Sequence, residues 1–279
     1  MVLNYKNILF KELCDSYSKV LEKPIEQFID SDIKQHDIDI FKNEANQESP
    51  FDKLNLKKHM YDLYTQGKAS IVSKKISNAR VCIVTENVKE FYPWNTWSTV
   101  FQWMGVPKDS SFWQIYIYSS KVKRVLPNEG PIGPEHLNGG YTYACKSDCI
   151  VIYRYEEATR VLIHELLHAS CTDNMNNSVE LREAATEMWA ELFLVTILAK
   201  GNYKKTLELW NIQDHYIQDL NYSVKTFHSV TSAQDYGARY TTLREDILDN
   251  FKLYLDISYK PKRTHMSRFT SPNLDTYLN

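Results

Sequence analysis

Residues 164–168 read His-Glu-Leu-Leu-His, which brings two imidazoles and a carboxylate together in a pattern suited to metal chemistry. On a helix, residues four apart lie on one face, so His164 and His168 can bind the same metal ion. Glu165 then lies close enough to act on a water molecule beside that ion. The flanking residues are apolar, so we expect a buried helix, in which two histidines need polar partners such as a metal. The pattern predicts one zinc ion per chain, with Glu165 as the general base.

A catalytic zinc ion usually has three protein ligands, so one more side chain must come from elsewhere in the chain. The capping box Asn177-Ser-Val-Glu180 predicts a second helix that runs to about Lys200. Three glutamates in this helix follow one another at four-residue spacing and share a face: Glu183, Glu187 and Glu191. Spacing within the helix leaves each of them open as the third ligand.

Hydrophobic periodicity predicts helices in the first 78 residues. Apolar residues recur at helical spacing from Leu9 to Leu21 and from Leu54 to Tyr64. The stretch from Lys34 to Pro50 is polar and lacks this periodicity, so we expect a loop-rich segment there. The sequence therefore predicts an N-terminal helical region at residues 1–78 and a second domain at residues 79–279.

In the remaining chain, predicted strands come before predicted helices. β-Branched and aromatic residues predict four strands, at residues 79–85, 112–118, 141–144 and 149–153. A tryptophan-rich helix is predicted at residues 94–104, and from Glu156 onward the chain is predicted to be helical nearly to its end. This order indicates an α+β fold, with a small mixed or antiparallel sheet packed on a mostly helical C-terminal half.

The motif and a downstream glutamate resemble a known group of enzymes. His164-Glu-Leu-Leu-His168, followed nineteen positions later by Glu187, resembles the gluzincins, which are zinc peptidases of the thermolysin and aminopeptidase type. Thr186 stands where these enzymes carry asparagine, and the chain lacks their Gly-x-Met-Glu-Asn aminopeptidase signature. The resemblance covers residues 149–200. It implies a zincin-like fold, Glu187 as the third zinc ligand and hydrolysis of peptide bonds.

The resemblance also implies a donor for the oxyanion that forms during peptide hydrolysis. In the family, a tyrosine or histidine from a later helix stabilises the negative charge that develops on the substrate carbonyl oxygen. Tyr240 is the favoured candidate in this chain, and Tyr236, His215 and His228 are alternatives.

The glycine-rich segment Asn138-Gly-Gly-Tyr-Thr142 is the candidate for substrate binding. The enzymes that this motif resembles bind the peptide along an edge strand beside the motif helix. Glycines permit a close approach between backbones, so we expect Gly139, Gly140 and Tyr141 to contact the peptide. A simple turn between two strands is the alternative interpretation of the same residues.

The composition excludes several classes of partner. There are 35 acidic and 33 basic residues, and the formal net charge of −2 gives no field that would attract nucleic acid or anionic lipid. No apolar run reaches the roughly 20 residues that span a bilayer, and the first residues show no secretory signal pattern. Five cysteines, a small and odd number, favour reduced thiols. We therefore expect a cytoplasmic protein, and the basic cluster Lys260–Arg263 leaves a nuclear location open.

Together these features predict a zinc metallopeptidase that acts on a protein or peptide substrate. An exopeptidase of the same kind would also need a charged group for the chain end. Arg239 or Arg244 could hold a carboxylate, and Glu183 or Glu191 could hold an amine. The third interpretation is a zinc-stabilised binding protein without turnover. Glu165 favours the enzyme, because a protein that only binds zinc does not need a base.

Overall fold

The computed structural model describes residues 5–228, 230 and 235–278, which form two compact units. Each unit is built from separate stretches of the chain. The sheet unit comprises Pro24–Lys123 and Asn138–Thr172. The helical unit comprises Met1–Lys23, Arg124–Leu137 and Asp173–Asn279. The sequence-based boundary between residues 78 and 79 stays a prediction.

Helices make up most of the secondary structure. The α-helices in the described ranges are α1 (Tyr5–Leu21), α2 (Gln35–Asn46), α3 (Leu56–Thr65), α4 (Trp94–Met104), α5 (Pro134–Leu137), α6 (Ala158–Ala169), α7 (Val179–Leu198), α8 (Tyr203–Phe227), α9 (Tyr236–Arg239) and α10 (Thr242–Asn250). A 3-10 helix follows at Pro272–Tyr277. The helical prediction for the C-terminal part of the chain is confirmed as far as Asn250, whereas residues 251–271 contain no helix. None of the helices described here is long and apolar enough to cross a membrane.

One mixed sheet lies entirely in the sheet unit. Its strands are β1 (Ile29–Asp30), β2 (Ser70–Lys75), β3 (Ala79–Thr85), β4 (Trp113–Tyr118), β5 (Gly140–Tyr141) and β6 (Ile150–Ile152), in the order β1-β2-β3-β4-β6-β5. Strands β3, β4 and β6 run parallel, and the other neighbouring pairs are antiparallel. The prediction of an α+β fold with a small mixed sheet is confirmed. Strands β1 and β2 were not predicted and lie within the first 78 residues.

The central strands are buried on both faces. Successive residues of a strand point to opposite faces, and residues paired in register share a face. One face, which includes Tyr116 and Val151, packs with residues of α2 and α3. The other face includes Ile115 and Ile150, which are fully buried. Parallel strands covered on both sides are rich in apolar residues throughout, which explains why β3 and β4 could be predicted.

Helix α2 lies where a loop-rich segment was expected, so that expectation is wrong. The buried residues of α2 are Asp37, Phe41 and Ala45, spaced four apart. Asp37 accepts a hydrogen bond from Arg80 of β3 at 2.7 Å. The helix has only a narrow apolar face, and one of its inward residues is charged and has its partner in a distant strand. Sequence periodicity therefore gave too weak a signal.

A buried ion pair joins three helices of the helical unit. Helix α7 begins one residue later than the predicted capping box implies: its N-cap is Ser178, whose side chain accepts the N–H of Leu181 at 3.3 Å. Arg244 of α10 donates to Glu191 of α7 at 2.7 Å, and their side chains are 0% and 1% exposed. Arg244 also donates to the side-chain oxygen of Asn221 in α8 at 3.1 Å. One guanidinium group therefore connects α7, α8 and α10.

Candidate metal centre

Helix α6 carries the His-Glu-Leu-Leu-His motif and is buried along its whole length. The Trp97 indole of α4 donates to Thr159 Oγ1 in the first turn of α6 at 2.8 Å, which fixes that end of the helix. The exposed fractions of His164, Glu165 and His168 are 7%, 5% and 8%. The prediction of a buried motif helix is therefore confirmed.

The two motif histidines have the geometry of a pair of metal ligands. Their Nε2 atoms are 3.1 Å apart, and their rings are inclined at 76° with centroids 4.8 Å apart. Two nitrogen ligands at about 2.0–2.1 Å from a tetrahedral zinc ion lie roughly 3.3 Å from each other. The observed separation fits this requirement to within a few tenths of an ångström. The imidazoles of His164 and His168 are thus placed to bind one ion through their Nε2 atoms.

The C-terminal end of α6 is fixed by main-chain hydrogen bonds and a disulfide. The carbonyl oxygen of His168 accepts the N–H groups of Cys145 at 3.1 Å and Cys171 at 3.2 Å. The two cysteines are joined by a disulfide, which ties the loop before β6 to the residues that follow α6. These contacts hold the backbone of His168 and do not depend on its imidazole.

The disulfide shows that the expectation of reduced thiols is wrong for two of the five cysteines. Cys14, Cys82 and Cys149 are free. Disulfides form and persist mainly in oxidising compartments, so the cysteines no longer support a cytoplasmic location, which stays a prediction. The bonded residues are 26 positions apart in the sequence, and nothing in their spacing indicated this pairing.

Strand β5 passes close to the carboxylate of Glu165. A Cβ atom added to Gly140 would lie 2.7 Å from Val161 Cγ1, 2.8 Å from the Val151 carbonyl oxygen and 3.2 Å from Glu165 Oε1. Only glycine lets the strand backbone approach α6 so closely. The close approach at Gly140 is to helix α6, where the candidate base lies, and the expected contact of Gly140 with a substrate peptide stays a prediction.

The residues before and after Gly140 are each paired with the region of β6. The carbonyl oxygen of Gly139 accepts the N–H of Tyr153 at 2.8 Å. Tyr141 is paired with Val151 of β6, and β5 is the last strand in the order of the sheet. The three residues expected to bind substrate therefore lie at an edge of the sheet, next to the motif helix.

The three glutamates of α7 differ in their surroundings. Glu187 and Glu191 are each 1% exposed, and Glu183 is half-buried. Glu191 accepts hydrogen bonds from Arg244 at 2.7 Å and Gln213 at 3.3 Å, so its carboxylate has a structural role in the helical unit.

Tyr240 follows α9 and is 5% exposed. Burial raises the pKa of its phenol well above the usual value, so Tyr240 remains a proton donor at neutral pH. Its hydroxyl lies 3.5 Å from Glu183 Oε2, and its ring packs on Phe269 with centroids 4.8 Å apart. The alternative His215 stacks on Tyr259 with centroids 4.0 Å apart and is part of a more exposed network.

The residues singled out by the sequence divide between the two units. The sheet unit contains His164, Glu165, His168, Gly139, Gly140 and Tyr141, and it brings Glu165 and Gly140 into proximity. The helical unit contains Glu187 and Tyr240, whose roles stay predictions. Comparison with known protein families, with curated proteins and with solved structures finds no match to this chain, so its function must be inferred from the chemistry of these residues.

Proposed function

We propose that the protein is a zinc-dependent metallopeptidase with a zincin-like fold, which hydrolyses peptide bonds in a protein or peptide substrate. The observation that carries the proposal is the pair of Nε2 atoms of His164 and His168, 3.1 Å apart on one buried helix, with Glu165 next to them in the sequence. A carboxylate of α7 completes the proposed ligand set. Because the motif His164-Glu-Leu-Leu-His168 occurs once in the sequence, we expect one zinc ion per chain.

In the proposed site, a zinc ion and Glu165 would have different chemical roles. A zinc ion bound there would polarise the scissile carbonyl and lower the pKa of a water molecule from 15.7 to about 7. Glu165 accepts the proton of the attacking water and delivers it to the leaving amine. Its 5% exposure keeps the carboxylate in a mostly dry environment, in which its interaction with nearby charges is strong.

We propose that the substrate adds to the sheet beside β5. Strand β5 is paired with β6 on one side and is the last strand in the sheet order. An extended peptide can continue such a sheet through main-chain hydrogen bonds, which is a recurrent mode of peptide recognition. The short distance between Gly140 and Glu165 supports this proposal, because a peptide bound there would lie near the base. Gly139, Gly140 and Tyr141 would supply the backbone contacts.

Tyr240 is the proposed donor to the oxyanion. Its protonated phenol could stabilise the negative charge that develops on the carbonyl oxygen. The support is the family resemblance of the motif.

The proposal favours cleavage within a peptide chain over removal of a terminal residue. Arg244 was one candidate for holding a substrate carboxylate, but its side chain is fully buried and donates to Glu191 and Asn221. Arg239 lies 3.3 Å from Glu180, and both of these side chains are partly exposed. Arg244 therefore has an internal structural role. An exopeptidase remains the second candidate because of Arg239.

The identity of the third ligand can be tested with three alanine variants. We expect Glu187→Ala to weaken zinc binding by more than about 100-fold, beyond the roughly 10–100-fold effect typical of residues that only orient a ligand. Its position nineteen residues after His168 favours it, and Glu183, one turn earlier in α7, is the alternative. Zinc affinity measured by competition with a chelating dye decides between them. A larger loss in Glu183→Ala would reassign the ligand to Glu183.

Glu191→Ala is the matched control for these two variants. It leaves the buried Arg244 without its carboxylate partner, so we expect a loss of about 3–5 kcal/mol in the free energy of unfolding of the metal-free protein. Zinc affinity of the folded variant should change by less than tenfold. A loss of zinc binding as large as that of Glu187→Ala would contradict the structural role assigned to Glu191.

A further inference from the structure

A buried ion pair lies beneath the edge strand of the sheet unit. The side chain of Lys57 in α3 is 2% exposed, and its Nζ lies 3.6 Å from Glu44 Oε2 of α2. Lys57 donates to the hydroxyl oxygen of Tyr141 in β5 at 2.6 Å, and the Tyr141 hydroxyl donates to Glu44. The ammonium group also lies 4.7 Å from the centre of the Tyr141 ring, within the range of a cation–π interaction. The three polar groups therefore form one connected chain.

The position of Lys57 is itself fixed by the start of α3. The carboxylate of Asp52 accepts the N–H groups of Leu56 and Lys57, each at 2.9 Å. These bonds satisfy two of the amides that a helix leaves without partners in its first turn. Burial lowers the pKa of Lys57, and the charge of Glu44 opposes that shift. The lysine is thus anchored at both its backbone and its ammonium group.

Strand β5 has little main-chain pairing of its own. It is two residues long, and its register with β6 consists of Gly140 opposite Ile152 and Tyr141 opposite Val151. So short a strand at the end of a sheet receives few main-chain hydrogen bonds. The side chain of Tyr141 reaches the Lys57–Glu44 pair on one face of the sheet. Gly140 meets Val161 and Glu165 of α6 on the other face.

We propose that Lys57 and Glu44 are positioning residues, which hold β5 against Glu165 through Tyr141. The proposal rests on the proposed function, in which Glu165 is the base and β5 is the substrate edge. A Cβ on Gly140 would lie only 3.2 Å from Glu165 Oε1. A shift of β5 by about 1 Å would therefore change both the packing of the Glu165 carboxylate and the path of a substrate peptide bound along β5. A misplacement of about 1 Å can cost roughly 100-fold in rate.

Lys57→Met tests this role, because methionine keeps an unbranched apolar stem but removes the ammonium group. The matched control is Arg80→Met, which breaks a second buried ion pair of the sheet unit. Arg80 of β3 donates to Asp37 of α2 at 2.7 Å, and β3 is separated from β5 by β4 and β6 in the sheet. Both variants remove a buried cation, but only Lys57→Met removes the contact with Tyr141.

Two measurements are made on each variant at a temperature at which circular dichroism shows it folded. The first is the hydrogen–deuterium exchange of peptides that cover residues 138–143, in the metal-free chain. We expect exchange at least about tenfold faster in Lys57→Met and unchanged in Arg80→Met, because local opening of β5 needs less free energy once its anchor is lost. The second is kcat on the fastest-cleaved peptide of a random library, which should fall at least about tenfold in Lys57→Met alone, with zinc affinity unchanged.

Tyr141→Phe is a second variant that tests the same proposal if Lys57→Met does not fold. It keeps the ring that stacks on Phe51 and removes only the hydroxyl that links Lys57 to Glu44. Faster exchange of residues 138–143 in this variant supports the proposal. Wild-type exchange in both variants, or an equal effect of Arg80→Met, would overturn it. If the wild-type protein cleaved no peptide, the proposed function would be contradicted, while the exchange measurement would still decide whether Lys57 holds β5.

Discussion

Replacing Glu165 by glutamine is expected to abolish measurable peptide hydrolysis while zinc binding and the fold are retained. The amide has nearly the same size as the carboxylate and can keep hydrogen bonds on a helix in which every residue is buried. It has no basic oxygen, so it can neither accept the proton of the attacking water nor pass it to the leaving amine. General acid–base groups contribute about 10²–10⁴-fold to rates, and we expect kcat to fall by at least the upper part of this range.

The measurement for Glu165→Gln is kcat on a peptide that the wild-type protein cleaves, together with the zinc content of each preparation. Zinc per chain should be the same in both proteins. Substantial cleavage by a folded, zinc-loaded Glu165→Gln protein would show that another residue is the base. Loss of zinc together with activity would show instead that Glu165 supports the ligands.

Replacing His168 by alanine is expected to remove tight zinc binding and, with it, all peptidase activity. The variant loses one of the two Nε2 atoms that lie 3.1 Å apart, so the remaining ligands cannot complete a tetrahedral site. The fold should survive, because the end of α6 is held by the carbonyl oxygen of residue 168 and by the Cys145–Cys171 disulfide. His164→Ala should have the same effect on zinc binding.

Isothermal titration of the metal-free proteins with zinc measures this effect. We expect the affinity to fall by more than about 100-fold, beyond what the loss of a residue that only orients a ligand causes. His215→Ala is the control, because His215 stacks on Tyr259 in the helical unit and should leave zinc affinity unchanged. A folded His168→Ala protein that bound one equivalent of zinc with wild-type affinity would exclude His168 as a ligand.

Much of the secondary structure could be predicted because it depends on local patterns. Strand β3 and helix α4 have the predicted bounds, since four of the seven residues of Ala79–Thr85 are β-branched and Gly105 ends the tryptophan-rich helix. Strand β2 was missed because its sequence, Ser-Ile-Val-Ser-Lys-Lys, has few apolar residues, and its pairing with β3 stabilises it. Helix α2 was missed because the inward Asp37 depends on Arg80, 43 positions away.

The candidate site could be predicted in part for the same reason. His164, Glu165 and His168 form a local pattern on one helix. The glycines indicated a close backbone approach near residue 140, but the expected neighbour was a substrate peptide, whereas the structure has α6 there. The anchor of β5 was not recognisable. It joins Lys57, Glu44 and Tyr141 from three elements, with separations of 84 and 97 residues between the bonded pairs. No spacing rule relates residues so far apart, and only the folded chain brings them together.

The most direct test of the central claim is the zinc dependence of peptide cleavage by the wild-type protein. The protein is freed of metal with a chelator, incubated with a random peptide library and analysed by mass spectrometry as zinc is added in steps. We predict no cleavage by the metal-free protein, cleavage that rises with zinc, and saturation at one equivalent per chain. Cleavage by the metal-free protein, or no cleavage at any zinc content, would contradict the assignment of a zinc peptidase.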